Sequence, residues 1–144
     1  MKMIKQLSVF IENKFGRLSA VTEVLKNINV DINALSLADT SDFGILRLVV
    51  DKPEEAAKEL TQHGITVKCT NVIAAAMDDR PGGLAAILDI LTKEKVNIEY
   101  MYAFMGKTDE KAWTVMRVDD SEKAERVLKE NGVMTLDDTH RFEG

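Results

Sequence analysis

The spacing of the apolar positions changes several times along this chain of 144 residues. Apolar and polar positions mix over Ile4–Glu12, with Val9 at the centre, which predicts a strand with at least one buried face. After Gly16 the apolar positions recur at spacings of three and four, so they share one face of a predicted helix. These positions are Leu18, Val21, Leu25 and Ile28.

A predicted hairpin and a second helix follow. Ile32–Ala38 and Ile45–Val50 are apolar runs on either side of a segment rich in Asp, Ser and Gly, which is typical of a turn. Pro53 suits the first turn of a helix, and Gly64 suits its left-handed end. With Ile65–Lys68 as a final strand, the predicted order is strand, helix, strand, strand, helix, strand.

The same order then repeats. Landmarks recur first at an offset of 66 residues, as in Leu25 and Leu91, and later at 68, as in Leu60 and Leu128. We therefore predict two domains, residues 1–70 and 71–144, with Asn71 as the seam. The second set of elements is predicted at Val72–Met77, Leu84–Lys93, Ile98–Phe104, Ala112–Val118, Ser121–Glu130 and Val133–Leu136.

This order predicts an α+β fold of two ferredoxin-like βαββαβ domains, each an antiparallel sheet with helices packed on one face. Domains of about 70 residues bury too small a share of their surface to be very stable alone. We therefore expect the copies to share an interface, or the chain to form a homo-oligomer such as a dimer. The fold hosts many activities, so function has to be argued from the site.

Composition narrows the choice of partners. A formal net charge of −5 and a pI of about 5.1 disfavour nucleic acid, whose phosphates need clustered Lys and Arg. No run approaches the roughly 20 apolar residues of a membrane span, so we expect a soluble protein without a membrane partner. Cys69 is the single cysteine, and the N-terminal residues alternate instead of forming a signal-peptide core. The expected location is the cytoplasm.

Two strand-to-helix turns are the candidate ligand-binding sites. They occupy the same place in the repeat and read Asn13-Lys14-Phe15-Gly16-Arg17-Leu18 and Asp78-Asp79-Arg80-Pro81-Gly82-Gly83-Leu84. Small residues let a ligand approach the backbone, and the first N–H groups of a helix attract a carboxylate or phosphate. Asn13 or Asp79 before the turn, and Asp31 or Asn97 at the next strand, could accept an ammonium group. The same Asn and Asp residues could instead be simple caps and turns.

These turns resemble those of ACT domains, the amino-acid-sensing modules of metabolic enzymes, arranged here as a tandem pair. The resemblance covers nearly the whole chain and is stronger in the second copy, because Phe15 replaces the usual proline and Asp31 the common asparagine. It implies an amino acid or similar zwitterion bound at the inter-domain interface, no catalytic residue and no cofactor, and a possible regulated enzyme as partner. The implied ligand-binding residues are Asn13, Phe15, Gly16, Arg17, Leu18, Asp31, Asp79, Gly82, Gly83, Leu84 and Asn97.

Two other classes of protein compete with this sensor. An enzyme needs a nucleophile with a base, or a metal cluster, and the sequence offers only solvated histidines, His63 and His140, and a single thiol, Cys69, expected to be at least partly buried. An acylphosphatase-like enzyme would use an Arg and an Asn, which Arg17 and Asn13 supply.

A metal chaperone needs two close thiols, and neighbouring carboxylates on loops are usually solvated, so we expect no metal. A structural module that pairs through its sheet edges, without a ligand, is the remaining alternative.

Overall fold

The computed structural model describes residues 3–12, 14–39, 42–105 and 111–136. The chain divides into two compact units, Lys5–Thr70 and Asn71–Gly144, and the second unit also takes in Met1–Ile4. Each unit is an α+β assembly of antiparallel strands and two helices, as the sequence predicts.

In the first unit, β1 (Ile4–Glu12) pairs with β3 (Phe43–Val50), and β3 pairs with β2 (Ile32–Asp39), all antiparallel. With β4 (Thr66–Asp78), the strand order is β2-β3-β1-β4. The first four elements of the chain begin and end close to the predicted residues, and the second helix begins at Pro53, as expected. The elements are β1 Ile4–Glu12, α1 Arg17–Asn27, β2 Ile32–Asp39, β3 Phe43–Val50, α2 Pro53–Gln62 and β4 Thr66–Asp78.

The second unit repeats the plan. Strand β4 pairs antiparallel with both β6 (Lys111–Val118) and β7 (Thr135–Leu136), and β6 pairs antiparallel with β5 (Ile98–Ala103). Helix α4 begins and ends at the predicted residues, and the other elements differ from prediction by one or two residues at either end. They are α3 Gly83–Lys93, β5 Ile98–Ala103, β6 Lys111–Val118, α4 Ser121–Glu130 and β7 Thr135–Leu136.

One predicted break does not exist. Ile65–Lys68 and Val72–Met77 were expected as separate strands on either side of Asn71, but Thr66–Asp78 is a single strand of 13 residues. The reason is local, because residues 66–78 contain neither Gly nor Pro, the strongest breakers of a strand, and Asn71 alone does not interrupt the pairing. Cys69, expected to be at least partly buried, is exposed and lies in the first half of this strand.

Each unit has its own core, built from the same repeat positions. Side chains of the strands meet one face of each helix, so alternate strand residues are buried beneath the helix pair. Matched buried pairs are Leu7 and Ile73, Val9 and Ala75, Val21 and Ile87, Leu25 and Leu91, Leu48 and Met116, Val50 and Val118, Ala56 and Ala124, and Leu60 and Leu128. The offsets of 66 and 68 residues found in the sequence therefore mark equivalent core positions.

The four helices of the described residues all end in the same backbone motif. The residue after each C-cap has a positive φ, and the N–H of the following residue donates to a carbonyl five residues earlier, as from Val30 to Leu25 and from Val96 to Leu91. Gly64 and Gly132 fill the left-handed position after α2 and α4. After α1 and α3 that position is held by Asn29, at φ 57°, and Lys95, at φ 58°.

We expect Lys95→Gly to stabilise the protein. A left-handed conformation strains a lysine, and although glycine loses more chain entropy on folding, the net gain should be about 0.5–1 kcal/mol in the free energy of unfolding. Urea unfolding of the purified variant measures this gain. Asn29→Gly is the matched control and should gain less, since asparagine tolerates this conformation. A destabilised Lys95→Gly variant would contradict the prediction.

Candidate functional site

The two repeated turns share an unusual helix start. The N-cap residues of α1 and α3 are Gly16 and Gly82, with φ of 84° and 88°, and neither can offer a side chain to the first helical N–H groups. At α4, by contrast, the side chain of Asp120 accepts a hydrogen bond of 3.2 Å from the N–H of Lys123. Both candidate turns thus begin a helix with a glycine where a capping side chain usually stands.

The acidic and amide residues before the turns are not the N-cap residues. The N-cap residue of α3 is Gly82, and Asp79 lies three positions before it. Asp79 is therefore not the N-cap residue that the alternative interpretation expected. Asn13 holds the matching position in the first copy and lies outside the described residues. The backbone closes both turns in the same way, since Arg17 N–H donates to Lys14 O at 3.2 Å and Gly83 N–H donates to Arg80 O at 3.0 Å.

A salt bridge that the sequence analysis missed marks the first turn. The carboxylate of Glu12, at the end of β1, lies 2.9 Å from Lys14 Nζ. The hydrogen bond from Lys14 lowers the pKa of Glu12, and the positive charges of Lys14 and Arg17 lower it further. The available signal was an acid at the end of the strand with a base two residues later, because the second copy repeats this pair as Asp78 and Arg80.

The second turn contains a larger ionic cluster. Asp78 Oδ1 accepts a hydrogen bond from Lys111 Nζ, and Asp78 Oδ2 accepts one of 3.2 Å from the Arg80 guanidinium. The hydrogen bond and charge of Lys111, followed by the charge and hydrogen bond of Arg80, lower the pKa of Asp78. Lys111 was missed because it is 33 residues away in sequence; the strands β4 and β6 place it directly opposite Asp78.

The two glycines of the second turn have different roles. At Gly82 an added Cβ would meet nothing within 4 Å, so the left-handed φ alone favours glycine there. At Gly83 a Cβ would lie 1.9 Å from the backbone carbonyl oxygen of Asp78. Gly83 is therefore required by a close approach of the protein's own backbone. The first copy has Arg17 at the matching position and does not have this constraint.

Asp31 and Asn97 lie away from the turns of their own units. Each turn precedes an 11-residue helix, and Asp31 and Asn97 follow that helix, so about 16 Å of helix separates the two ends. The backbone N–H of Asp31 donates to Asp51 Oδ1 at 2.9 Å, and that of Asn97 donates to Asp119 Oδ1 at 3.0 Å. The expected adjacency of turn and acceptor is therefore wrong within a single unit.

The remaining predicted site residues are exposed. Leu18 was expected on the apolar face of its helix, but Leu18 and the matching Leu84 are each 40% exposed, because they lie in the first turn, ahead of the buried positions. Phe15 is fully exposed beside Gly16. Within the described residues no group of three or more His, Cys, Asp and Glu side chains could hold a metal ion. No helix among them is long and apolar enough to cross a bilayer.

Of the two histidines, the structure describes only His63. The side chain of His63 is half exposed and its Nδ1 lies 2.9 Å from the carbonyl oxygen of Glu59, at the end of α2. His140 lies outside the described residues.

Arg17 is the residue that an acylphosphatase-like enzyme would need. Its positive charge instead lowers the pKa of Glu12.

Two glycine-started helices on repeated ferredoxin-like units define a tandem regulatory-domain architecture. The chain belongs to the ACT domain family, since the family model of an ACT domain pair matches residues 2–142. Among solved structures, protein BT0572 from Bacteroides thetaiotaomicron is 42% identical, covers 93% of this chain and 92% of its own, and superposes with a TM-score of 0.88.

Two more distant structures share the fold alone. The regulatory subunit of aspartate kinase from Thermus thermophilus, in its ligand-free form, is 14% identical over 92% of this chain and 94% of its own, with a TM-score of 0.62. The same subunit from Thermus flavus is 17% identical over 90% of each chain, with a TM-score of 0.61. No curated protein matches the sequence.

We expect Gly83→Ala to destabilise the second unit by about 1–3 kcal/mol, because the new methyl group overlaps the Asp78 carbonyl and the turn must open. Chemical denaturation measures the loss. The matched control is Arg17→Ala, an exposed change at the equivalent position, which should stay within about 0.5 kcal/mol of the wild type. Equal stability of both variants with wild type would contradict the close contact.

The Asp78 cluster should make stability depend on pH. Because the folded-state pKa of Asp78 is lowered, its carboxylate stabilises the fold above the unfolded-state pKa of about 4, and that contribution is lost as pH falls through the folded-state pKa. Asp78→Asn should therefore be less stable than wild type at neutral pH, with a gap that closes in acid and shrinks with added salt. Urea unfolding across a pH series measures the gap, and a gap independent of pH would exclude this origin.

Proposed function

We propose that this protein is a non-catalytic regulatory protein of the cytoplasm that binds an amino acid or a similar small zwitterion. One observation carries the proposal: in both repeats a helix begins at a left-handed glycine with no capping side chain. The first N–H groups of such a helix and the positive end of its dipole suit an α-carboxylate. The α-ammonium group then needs a nearby carboxylate or amide oxygen.

The acceptor for the ammonium group supports a site shared between ACT domains. Within one unit, the turn and its Asp31 or Asn97 lie at opposite ends of a helix. A single unit therefore cannot bring its turn and its Asp31 or Asn97 to one small ligand. The turn of one ACT domain and the Asp or Asn of another could do so. We place the ligand at such an inter-domain interface, and a ligand there would favour one domain arrangement over another.

Three ionic contacts favour binding over catalysis at these turns. Glu12 forms an ion pair with Lys14, and Asp78 forms ion pairs with Arg80 and Lys111, so these two carboxylates at the strand ends are held ionised by cations. A general acid or base needs a pKa near the working pH, and both of these are lowered instead. The action of the protein is then exerted on a separate partner, such as the enzyme whose pathway the amino acid reports.

Thermal unfolding against each standard amino acid tests the proposal. Ligand at 100 times its dissociation constant should add about 2.7 kcal/mol to the stability, enough to raise the midpoint by several degrees. Sucrose and sodium chloride are controls for non-specific effects. If no amino acid at millimolar concentration gives a selective shift, the proposal fails and a structural module without a ligand is favoured.

Substitutions locate the binding groups. Gly16→Val and Gly82→Val should each block the approach to one turn, and at least one should reduce the amino-acid shift tenfold in apparent affinity. Gly64→Val is the matched control, because Gly64 has the same kind of positive φ and open surroundings but ends a helix. That control should lose stability and keep the shift. A shift retained in the double variant Gly16→Val, Gly82→Val would remove both turns from the site.

A further inference from the structure

The start of β5 is fastened to the end of β6 in the second unit. The N–H of Asn97 donates to Asp119 Oδ1 at 3.0 Å, and the N–H of Asp119 donates to Asn97 O at 3.1 Å. The first repeat has the same two bonds between Asp31 and Asp51. Because Asp119 directly follows β6, these bonds hold Asn97 and the end of β6 together.

A second set of contacts leads from β5 to the residue at which the second unit takes over β4. Glu99 Oε1 lies 3.4 Å from Arg117 Nε, and Arg117 Nη1 donates to the backbone carbonyl oxygen of Asn71 at 3.0 Å. The second unit begins again at Asn71, and β4 passes through this residue unbroken. Pairing of β4 with β6 starts at Ile73, so the guanidinium binds a carbonyl just ahead of the first paired residue. We call Glu99, Arg117 and the carbonyl of Asn71 the boundary link.

The position of Glu99 depends on a β-bulge. The register of β5 against β6 shifts between Ile98 and Tyr100, which makes Glu99 the extra residue of the bulge. A bulge changes the direction of a side chain, and here the carboxylate of Glu99 reaches Arg117 on the neighbouring strand. The boundary link therefore depends on the backbone at the start of β5, two residues after Asn97.

The boundary link belongs to the second repeat alone. The first repeat has the same bulge, but Asn33 stands at the position of Glu99 and Val49 at the position of Arg117. The side chain of Val49 is buried and has no hydrogen-bond donor. The bonds that fasten the start of the strand are thus common to both repeats, whereas their extension to β4 is found where the repeat had predicted a break in that strand.

We propose that the boundary link is a conformational device: Arg117, oriented by Glu99, keeps β4 extended at Asn71 and ties that point to the start of β5. The guanidinium suits this role because its rigid fork of donors binds Glu99 through Nε and Asn71 through Nη1 at the same time. A displacement of Asn97 then reaches β4 through Glu99 and Arg117. This inference goes beyond the proposed function and does not rest on it.

The effect of the boundary link is expected in the local opening of β4. The side chains of Arg117 and Glu99 are 37% and 49% exposed, and ion pairs with this exposure contribute little to global stability. Local opening of a strand is a separate equilibrium, to which a hydrogen bond at one carbonyl contributes directly. Amide hydrogen exchange measures that equilibrium segment by segment.

Hydrogen–deuterium exchange of the full chain, measured by mass spectrometry of its peptides, tests the role of Arg117. Arg117→Met removes the donor and keeps an apolar stem, and exchange should rise about tenfold in peptides that span Asn71. Glu99→Gln should cause a smaller rise in the same peptides. The double variant should exchange no faster than Arg117→Met, because Glu99 acts through Arg117.

Arg126→Met is the matched control. It breaks another exposed ion pair of the second unit, between Arg126 and Glu130, and should leave exchange around Asn71 unchanged. Unchanged exchange around Asn71 in Arg117→Met would overturn the inference. A rise of equal size throughout the second unit would do the same, since it reports a loss of global stability. Additive effects of Glu99→Gln and Arg117→Met would show two independent contacts and also contradict it.

A substitution at the other end tests the connection to the start of β5. Asp119→Ala removes the acceptor of the Asn97 N–H, and exchange around Asn71 should rise about threefold in the otherwise wild-type chain. The same substitution should cause no further rise in the Arg117→Met background. Asp51→Ala removes the equivalent acceptor of the first repeat and should leave exchange around Asn71 unchanged.

The outcome for Asp119→Ala decides whether the boundary link transmits a displacement. An equal rise with and without Arg117 would mean that the disturbance reaches β4 by another route, and the inference would be wrong. Every measurement uses the protein without an added amino acid. A failure of the boundary link therefore leaves the proposed amino-acid binding standing, and a protein that binds no amino acid can still have the link.

Discussion

Burial of one sheet face beneath two helices is the constraint on which each unit depends. A strand has side chains on two faces, and only one face meets the helices, so the strand residues that pack against the helices fall on alternate positions. Leu7, Val9 and Ile11 do this in β1, and Ile73 and Ala75 do it in β4. With the core satisfied by these few positions, the turns at the strand ends are free to vary in chemistry.

That separation explains what could be predicted from the sequence. Core positions repeat with helical or strand periodicity, and their offsets of 66 and 68 residues define the elements closely enough to place both ends of α4. The continuity of β4 through Asn71 could not be predicted in this way, because the strand ends were inferred from the repeat, which divides the chain there, and the segment has no Gly or Pro to end a strand. The exposure of Cys69 follows from the same strand.

The candidate site was less accessible to sequence reasoning, because its groups meet through strand pairing. Asp78 and Lys111 are neighbours only because β4 and β6 align them, and no local pattern states that register. Gly83 looked like a residue that admits a ligand, yet its small size serves the carbonyl of Asp78. Asp31 and Asn97 were grouped with the turns because they are close in sequence, whereas an intervening helix carries them to the opposite end of the unit.

The left-handed residues at the ends of α1 and α3 have a mechanical consequence. Gly16 and Asn29 bound α1, and Gly82 and Lys95 bound α3, all with φ between 57° and 88°. A left-handed residue interrupts the right-handed hydrogen-bond ladder, so neither helix can lengthen into its flanking segment. Both helices are therefore rods of fixed length. If the turn at one end of such a helix is displaced, the helix moves as a rigid body and displaces the start of the strand at its other end. The helix does not gain or lose a turn.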